Sequence, residues 1–232
     1  MTKFIKTLNK KLTITFAISI FSIFAIDLWL IDIPAPHYII ERLGKIYYAI
    51  CISYLSCFIF HIVVVHIREV NNQELINKYI TPIIQQIIVD GKGVIYSMAQ
   101  YHDYDLESEY PTISDLKYLL GNTNAIEENP DLVNPLTLKP LKWDETIYDM
   151  LNKHQKNIQR IESKDLFLDT KLLMLLTNIK EAHLVQILGY QIFQNELKSK
   201  NFSSLISFVN DYFDKLKELE AYLNKHLSEY KI

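Results

Sequence analysis

Glycine and proline are scarce in this chain, five and seven among 232 residues. So little turn chemistry argues against a turn-rich β-protein and favours long helices. Cysteine is rarer still: Cys51 and Cys57 stand in one apolar run. Six positions apart on a helix they point in different directions, which excludes a disulfide between them. A basic domain is missing as well. The net charge is −3, with six Lys/Arg and three Asp/Glu in residues 1–67 against eighteen and twenty-four in residues 68–232. The second part is therefore mildly acidic and lacks the electrostatic footprint of a nucleic-acid binder.

What the chain does have is two long apolar runs near its start. Residues 12–31 contain one ionisable side chain, Asp27, and as a helix they extend about 30 Å, enough to cross the hydrocarbon core of a bilayer. Asp32, Pro34 and Pro36 end that run, since proline cannot continue the helical ladder. Residues 46–67 supply a second span of about 33 Å. Lys3, Lys6, Lys10 and Lys11 precede the first span, Arg68 and Lys78 follow the second, and the connecting turn holds Arg42 and Lys45. That asymmetry predicts a two-pass membrane protein with both termini cytoplasmic. Trp29, Tyr38, Tyr47 and Tyr48 then fall near the outer interface, where amphipathic rings are favoured. The competing reading is a cleaved signal peptide, but the run is long, ends in Asp and Pro, and lacks a small-residue cleavage site.

The expected fold class is all-α. It comprises a basic cytoplasmic tail (1–11), a transmembrane hairpin (12–67), a helical connector (68–142) and an antiparallel three-helix bundle (143–232). In the connector, Leu75, Ile76, Ile80, Ile83, Ile84, Ile87 and Ile88 recur at helical spacing. Thr81 and Pro82 kink or restart that helix, Gly91 and Gly93 interrupt it, and residues 94–101 read as helix. Thr112 caps a short helix with Asp115 three residues on, and Gly121 closes it. Residues 122–142 hold Pro130, Pro135 and Pro140 and read as an extended loop. In the bundle, Ile147, Leu151, His154, Ile158 and Ile161 form one seam. Leu168, Leu172, Leu175, Ile179, Ala182, Ile187, Phe193 and Leu197 mark a second helix, bent near Gly189. Leu205, Val209, Tyr212, Leu216, Leu219, Leu223 and Tyr230 mark a third. Short linkers make consecutive helices antiparallel neighbours.

Candidate sites are few. Asp27 and His61 lie at depths roughly 15 Å apart in an antiparallel hairpin, so they form neither a proton relay nor a shared metal site, although a polar stripe in an oligomeric pore stays open. Ala49, Ser53 and Cys57 form a small-residue ridge suited to close helix packing in lipid. The first span is the favoured partner for the ridge, through Ser19, Ser22 and Ala25, and a second copy is the alternative. Asp103, Asp105, Glu107 and Glu109 make an acidic face suited to docking a protein partner. With His102 that stretch also holds metal-ligand types, but a phosphohydrolase of the HD type needs further ligands that the membrane segment cannot offer. Gly91, Lys92 and Gly93 lack the rest of a phosphate loop. His154, His183 and His226 fall on different helices and read as core-edge or surface residues. No catalytic motif and no cofactor signature emerges.

In architecture the chain resembles the small two-transmembrane effectors of bacterial anti-phage systems, including retron-associated membrane effectors. The likeness covers the layout of the whole chain and rests on no residue motif, so no site residue carries over. It implies a non-enzymatic effector, toxin-like in action. Its soluble helices would be held by a cytoplasmic partner, and its hairpins, assembled as homo-oligomers, would damage the bacterial inner membrane on release. The alternative is a membrane tether that recruits a cytoplasmic partner through its helical domain.

Overall fold

The computed structural model describes residues 10–30, 33, 37–133, 138–164, 168–189 and 201–231. Lys3, Lys6, Asp32, Pro34, Pro36, Pro135, Phe193 and Leu197, all used above, lie outside the described residues, as does the last position of the 12–31 run. The chain is mostly helical and divides into two compact units, Met1–Leu75 and Ile76–Ile232.

In the first unit, α1 (Lys10–Ala25) continues as a π-helical turn over Ile26–Leu30. α2 (Tyr38–Phe60) continues as another over His61–His66, and α3 (Ile67–Tyr101) begins there. α1 and α2 pack antiparallel. Phe16 stacks on Phe58 with ring centroids 4.2 Å apart, and toward the other end Tyr48 donates to Asp27 at 3.2 Å. Ser22 and Tyr47 also share a hydrogen bond of 2.7 Å, and Tyr54 donates to the Leu12 carbonyl at 3.0 Å. The face of α2 that meets α1 is thus built from tyrosines around buried Cys51 and Phe58.

The second unit has one core. Ile80, Ile84, Ile87, Ile95 and Met98 of α3 bury with Leu116 and Leu119 of α4 (Ile113–Asn122). They pack against α5 (Trp143–Glu162), α6 (Thr170–Lys180), α7 (His183–Gly189) and α8 (Ile206–His226). Residues assigned above to a connector therefore share a core with the bundle. The Ile147, Leu151, His154, Ile158, Ile161 seam is buried throughout, as are Val209, Tyr212, Leu216, Leu219 and Leu223 of α8.

Local chemistry explains the boundaries. α3 runs through Pro82, where Thr81 Oγ1 donates to the Asn77 carbonyl at 2.7 Å. It also runs through Gly91 and Gly93, which do not interrupt it. Gly91 is a packing notch: a Cβ there would stand 2.6 Å from Leu216 Cδ1. The helix ends at Asp103, whose φ of 48° is left-handed. Tyr104 N–H bonds the Ala99 carbonyl at 2.9 Å and Asp103 N–H the Gln100 carbonyl at 3.1 Å, the paired bonds of a Schellman cap.

α4 begins with the expected capping box. Asp115 N–H donates to Thr112 Oγ1 at 3.2 Å and Thr112 N–H to Asp115 Oδ2 at 2.7 Å. Gly121 lies inside α4 rather than closing it; Thr123 caps the helix in extended backbone.

Two expectations fail here. Residues 122–142 are not all loop: β1 (Glu128–Val133) pairs antiparallel with β2 (Pro140–Lys142), Asn129 opposite Leu141, with a bulge before Val133. Pro140 opens its strand and Pro130 lies in a two-stranded ribbon, positions where a missing N–H is tolerated. The second bundle helix is broken at Glu181 and Ala182, where the Ala182 N–H turns to the Ile179 carbonyl and tightens the ladder by one residue; the residues beyond Gly189, where a bend is expected, lie outside the described ones.

Candidate functional site

The hairpin surface comes first. Two helical stretches, within Lys10–Trp29 and Tyr38–Tyr101, are long and apolar enough to cross a membrane, with mean hydropathies of 1.9 and 2.2. Packing of α1 on α2 covers little of either. Phe21 is 70%, Trp29 72%, Ile50 60% and Phe60 63% exposed.

The small-residue ridge faces away from α1. Ala49, Ser53 and Cys57 are all exposed, so the expected packing on Ser19, Ser22 and Ala25 is corrected. The long tyrosine side chains set the rotation of α2, because Tyr47, Tyr48 and Tyr54 each reach a polar partner on α1. An unsatisfied hydroxyl in an apolar medium costs more than close approach of small residues gains. Asp27 stands in the π-helical turn of α1 and His61 opens that of α2. A π-turn places an extra residue in the ladder. Sequence periodicity carries no mark of either turn.

The four acidic candidates, Asp103, Asp105, Glu107 and Glu109, are all exposed. Asp103 is the left-handed cap of α3. Glu109 is ion-paired while its side chain stays 69% exposed: its Oε1 lies 2.5 Å from Lys92 Nζ, which also meets Glu220 Oε2 at 2.7 Å. Tyr110 donates to the same Glu220 oxygen at 2.6 Å, and Lys92 Nζ sits 4.3 Å from the Tyr110 ring centre. Burial works against the Lys92 charge, but bonds to Glu109 and Glu220 raise its pKa above the ordinary lysine value. Burial likewise opposes the Glu220 charge, yet Lys92 and Tyr110 hold its carboxyl below the ordinary range. This network pins the 103–111 segment to α3 and α8.

The histidines do not gather. His102 turns inward to Thr123 Oγ1 at 2.8 Å while Asp103 is exposed, so an HD-type pair does not form. His183 lies against Phe208 and His226 stacks on Tyr222. His154 is not a core-edge or surface residue. It is 1% exposed, with Nδ1 sharing a 2.5 Å hydrogen bond with the Tyr212 hydroxyl and Nε2 without a partner. Burial drives its pKa down to about 4, with Asp90 opposing the shift and Lys153 adding to it. The neighbouring cavity holds about 20 Å³, too small for a substrate. Among the described residues no group of three or more His, Cys, Asp or Glu side chains converges to hold a metal.

One feature of the second unit left no signal in the sequence. A groove of about 660 Å³ runs between α3 and α5 and is capped by β2. Val89, Val94, Tyr96, Leu141 and Met150 form its apolar walls, and Asp90, Thr146, Asp149 and Lys153 its polar part. Gly93 leaves the wall open, since a Cβ there would meet nothing within 4 Å. Lys153 Nζ lies 2.8 Å from Asp90 Oδ2, a contact that is ionic rather than an aligned hydrogen bond. Leu141 joins through the β1–β2 ribbon, which explains why helical periodicity alone does not reveal the groove. Comparison of the chain with protein-family models, curated proteins and solved structures finds no match.

Proposed function

We propose that the chain is a two-pass protein of the bacterial inner membrane with both termini cytoplasmic. It acts as a non-enzymatic effector: the helical domain is held by a cytoplasmic protein partner, and its release lets the hairpins disturb the bilayer. The observation that supports this reading is the hairpin surface. α1 and α2 satisfy each other's polar groups along one seam and leave Phe21, Trp29, Ile50 and Phe60 uncovered. A pair of helices with so much apolar surface needs lipid or further copies around it. The exposed Ala49, Ser53 and Cys57 ridge leaves a strip where a second hairpin can approach closely.

Induced expression with a membrane-potential dye tests the proposal. Full-length protein depolarises cells, and deletion of residues 12–67 abolishes the effect. Accumulation in the inner membrane without depolarisation, even with partners removed, contradicts it. The groove of the second unit and the exposed Asp105 and Glu107 favour a second reading, a tether that recruits a cytoplasmic partner. That reading predicts accumulation without any loss of potential.

A further inference from the structure

We infer that a row of aromatic rings at the end of α3, flanked by carboxylates, is a docking surface for an arginine-bearing segment of a protein partner. The inference rests on the cytoplasmic protein partner that both readings above share, and names the chemistry by which that partner is held.

Four rings from two stretches of chain meet in one row. Ring centres of Tyr101 and His102 lie 4.9 Å apart and those of His102 and Tyr118 6.3 Å, both edge to face; Tyr104 stacks on Tyr118 at 4.5 Å. The left-handed turn at Asp103 ends α3 and lets Tyr104 reach Tyr118 of α4. Tyr101 is 40% and Tyr118 44% exposed, so ring surface faces solvent. Hydrogen bonds fix the row from behind. The Tyr101 hydroxyl donates to Glu127 Oε2 at 3.2 Å, that of Tyr104 to Asp115 Oδ1 at 2.8 Å, and His102 Nε2 meets Thr123 Oγ1 at 2.8 Å. Rings held in place beforehand lose little freedom when a partner arrives.

Charge selects the partner. Exposed aromatic rings stack either nucleic-acid bases or guanidinium groups. A base-stacking surface needs cations along the phosphates, and here the surround is acidic. Asp103, Asp105 and Glu107 are exposed. The Tyr101 pKa is raised first by burial and next by the Glu127 charge; that of Tyr104 is raised first by the bond to Asp115, with the Glu107 charge adding to it. A carboxylate therefore stands near each of these rings. The chain uses the same chemistry internally, where Lys92 Nζ sits 4.3 Å from the Tyr110 ring centre with Glu109 and Glu220 as counter-charges. Among the described residues no lysine or arginine stands over Tyr101, Tyr104 or Tyr118. Arginine suits the row better than lysine, because its flat, weakly hydrated guanidinium stacks on a ring while its edge donates to carboxylates.

The test uses the full-length protein in zwitterionic nanodiscs at about 0.15 M salt, labelled with 3-fluorotyrosine and titrated with blocked hexa-arginine. Tyr118→Phe and Tyr79→Phe assign the two fluorine signals that are followed. Tyr79 is 41% exposed and lies in the same helix as Tyr101, about 33 Å before it. The expected result is a saturable Tyr118 shift with Kd below about 1 mM and an unmoved Tyr79. Hexalysine binds about fivefold more weakly, and uncharged hexacitrulline leaves Tyr118 unmoved. Glu107→Gln weakens hexa-arginine binding at least about threefold. Glu218→Gln, at an exposed carboxylate beside Lys171 and Lys225, leaves the Kd unchanged. The inference is overturned by an unmoved Tyr118 at about 10 mM peptide, by equal binding of hexalysine or hexacitrulline, by equal losses in the two glutamine variants, or by a Tyr118 shift with oligouridylate. Depolarisation of cells is scored separately: a protein that binds hexa-arginine without depolarising cells keeps this surface and loses the effector reading.

Discussion

Gly91 and Gly93 lie two residues apart in α3 and respond oppositely to the same substitution. Replacing a mid-helix glycine by alanine gains about 1 kcal/mol of helix propensity. At Gly93 nothing opposes that gain, because the new methyl enters open space, so Gly93→Ala stabilises the second unit by about 1 kcal/mol. At Gly91 the methyl would arrive 2.6 Å from Leu216 Cδ1, with His154 Cε1 at 3.6 Å. Leu216 is fully buried, so moving it disturbs the core. Overpacking of this kind costs about 1–3 kcal/mol, which cancels or exceeds the propensity gain. The two variants should therefore differ by about 1–3 kcal/mol, and at about 2–4 °C per kcal/mol in a unit of this size the thermal midpoints separate clearly. Fluorescence of Trp143, buried in the core, reports unfolding when Trp29 is replaced by Phe. Equal stabilisation by both alanines would refute the close approach of α3 and α8.

Three further outcomes follow from the same packing. Lys92→Met removes the cation that Glu109 and Glu220 share; leaving the partly buried Glu220 carboxylate without it should cost about 1–3 kcal/mol in urea unfolding. His154 stays neutral in the fold down to about pH 4, while in the unfolded chain it titrates near 6.5. As pH falls between those values only the unfolded state takes up this proton, so stability declines by up to about 3 kcal/mol. His154→Gln should flatten urea midpoints over that window. Asp103→Gly relieves a left-handed residue at φ 48° and should raise stability by about 0.5–1 kcal/mol.

The parts of the fold that could be read from sequence are those where one periodic signal dominates. The α5 and α8 seams are such cases, since 3.6-residue spacing and burial coincide, and so is the Thr112 and Asp115 capping box, a strictly local pattern. What escaped depends on partners distant in sequence. Gly91 reads as a helix breaker until Leu216 is brought against it, and no local pattern links Lys92 to the Glu109 and Glu220 carboxylates that it pairs with. The β1–β2 ribbon is held by a few ladder bonds across a bulge, too little to outweigh its prolines as a sequence signal. The direction of the Ala49, Ser53 and Cys57 ridge was set by three tyrosine hydroxyls seeking partners on α1. Ridge spacing alone does not encode that competition.

The central claim is that the hairpin spans a bilayer with both termini in the cytoplasm. It is tested most directly by cysteine labelling in a background with Cys51→Ala and Cys57→Ala. His37, at the start of α2, and Ser228, after α8, are both exposed. In spheroplasts, a membrane-impermeant maleimide should label His37→Cys at once and reach Ser228→Cys only after lysis. Equal labelling of the two positions before lysis, or protection of His37→Cys with labelling of Ser228→Cys, contradicts the account.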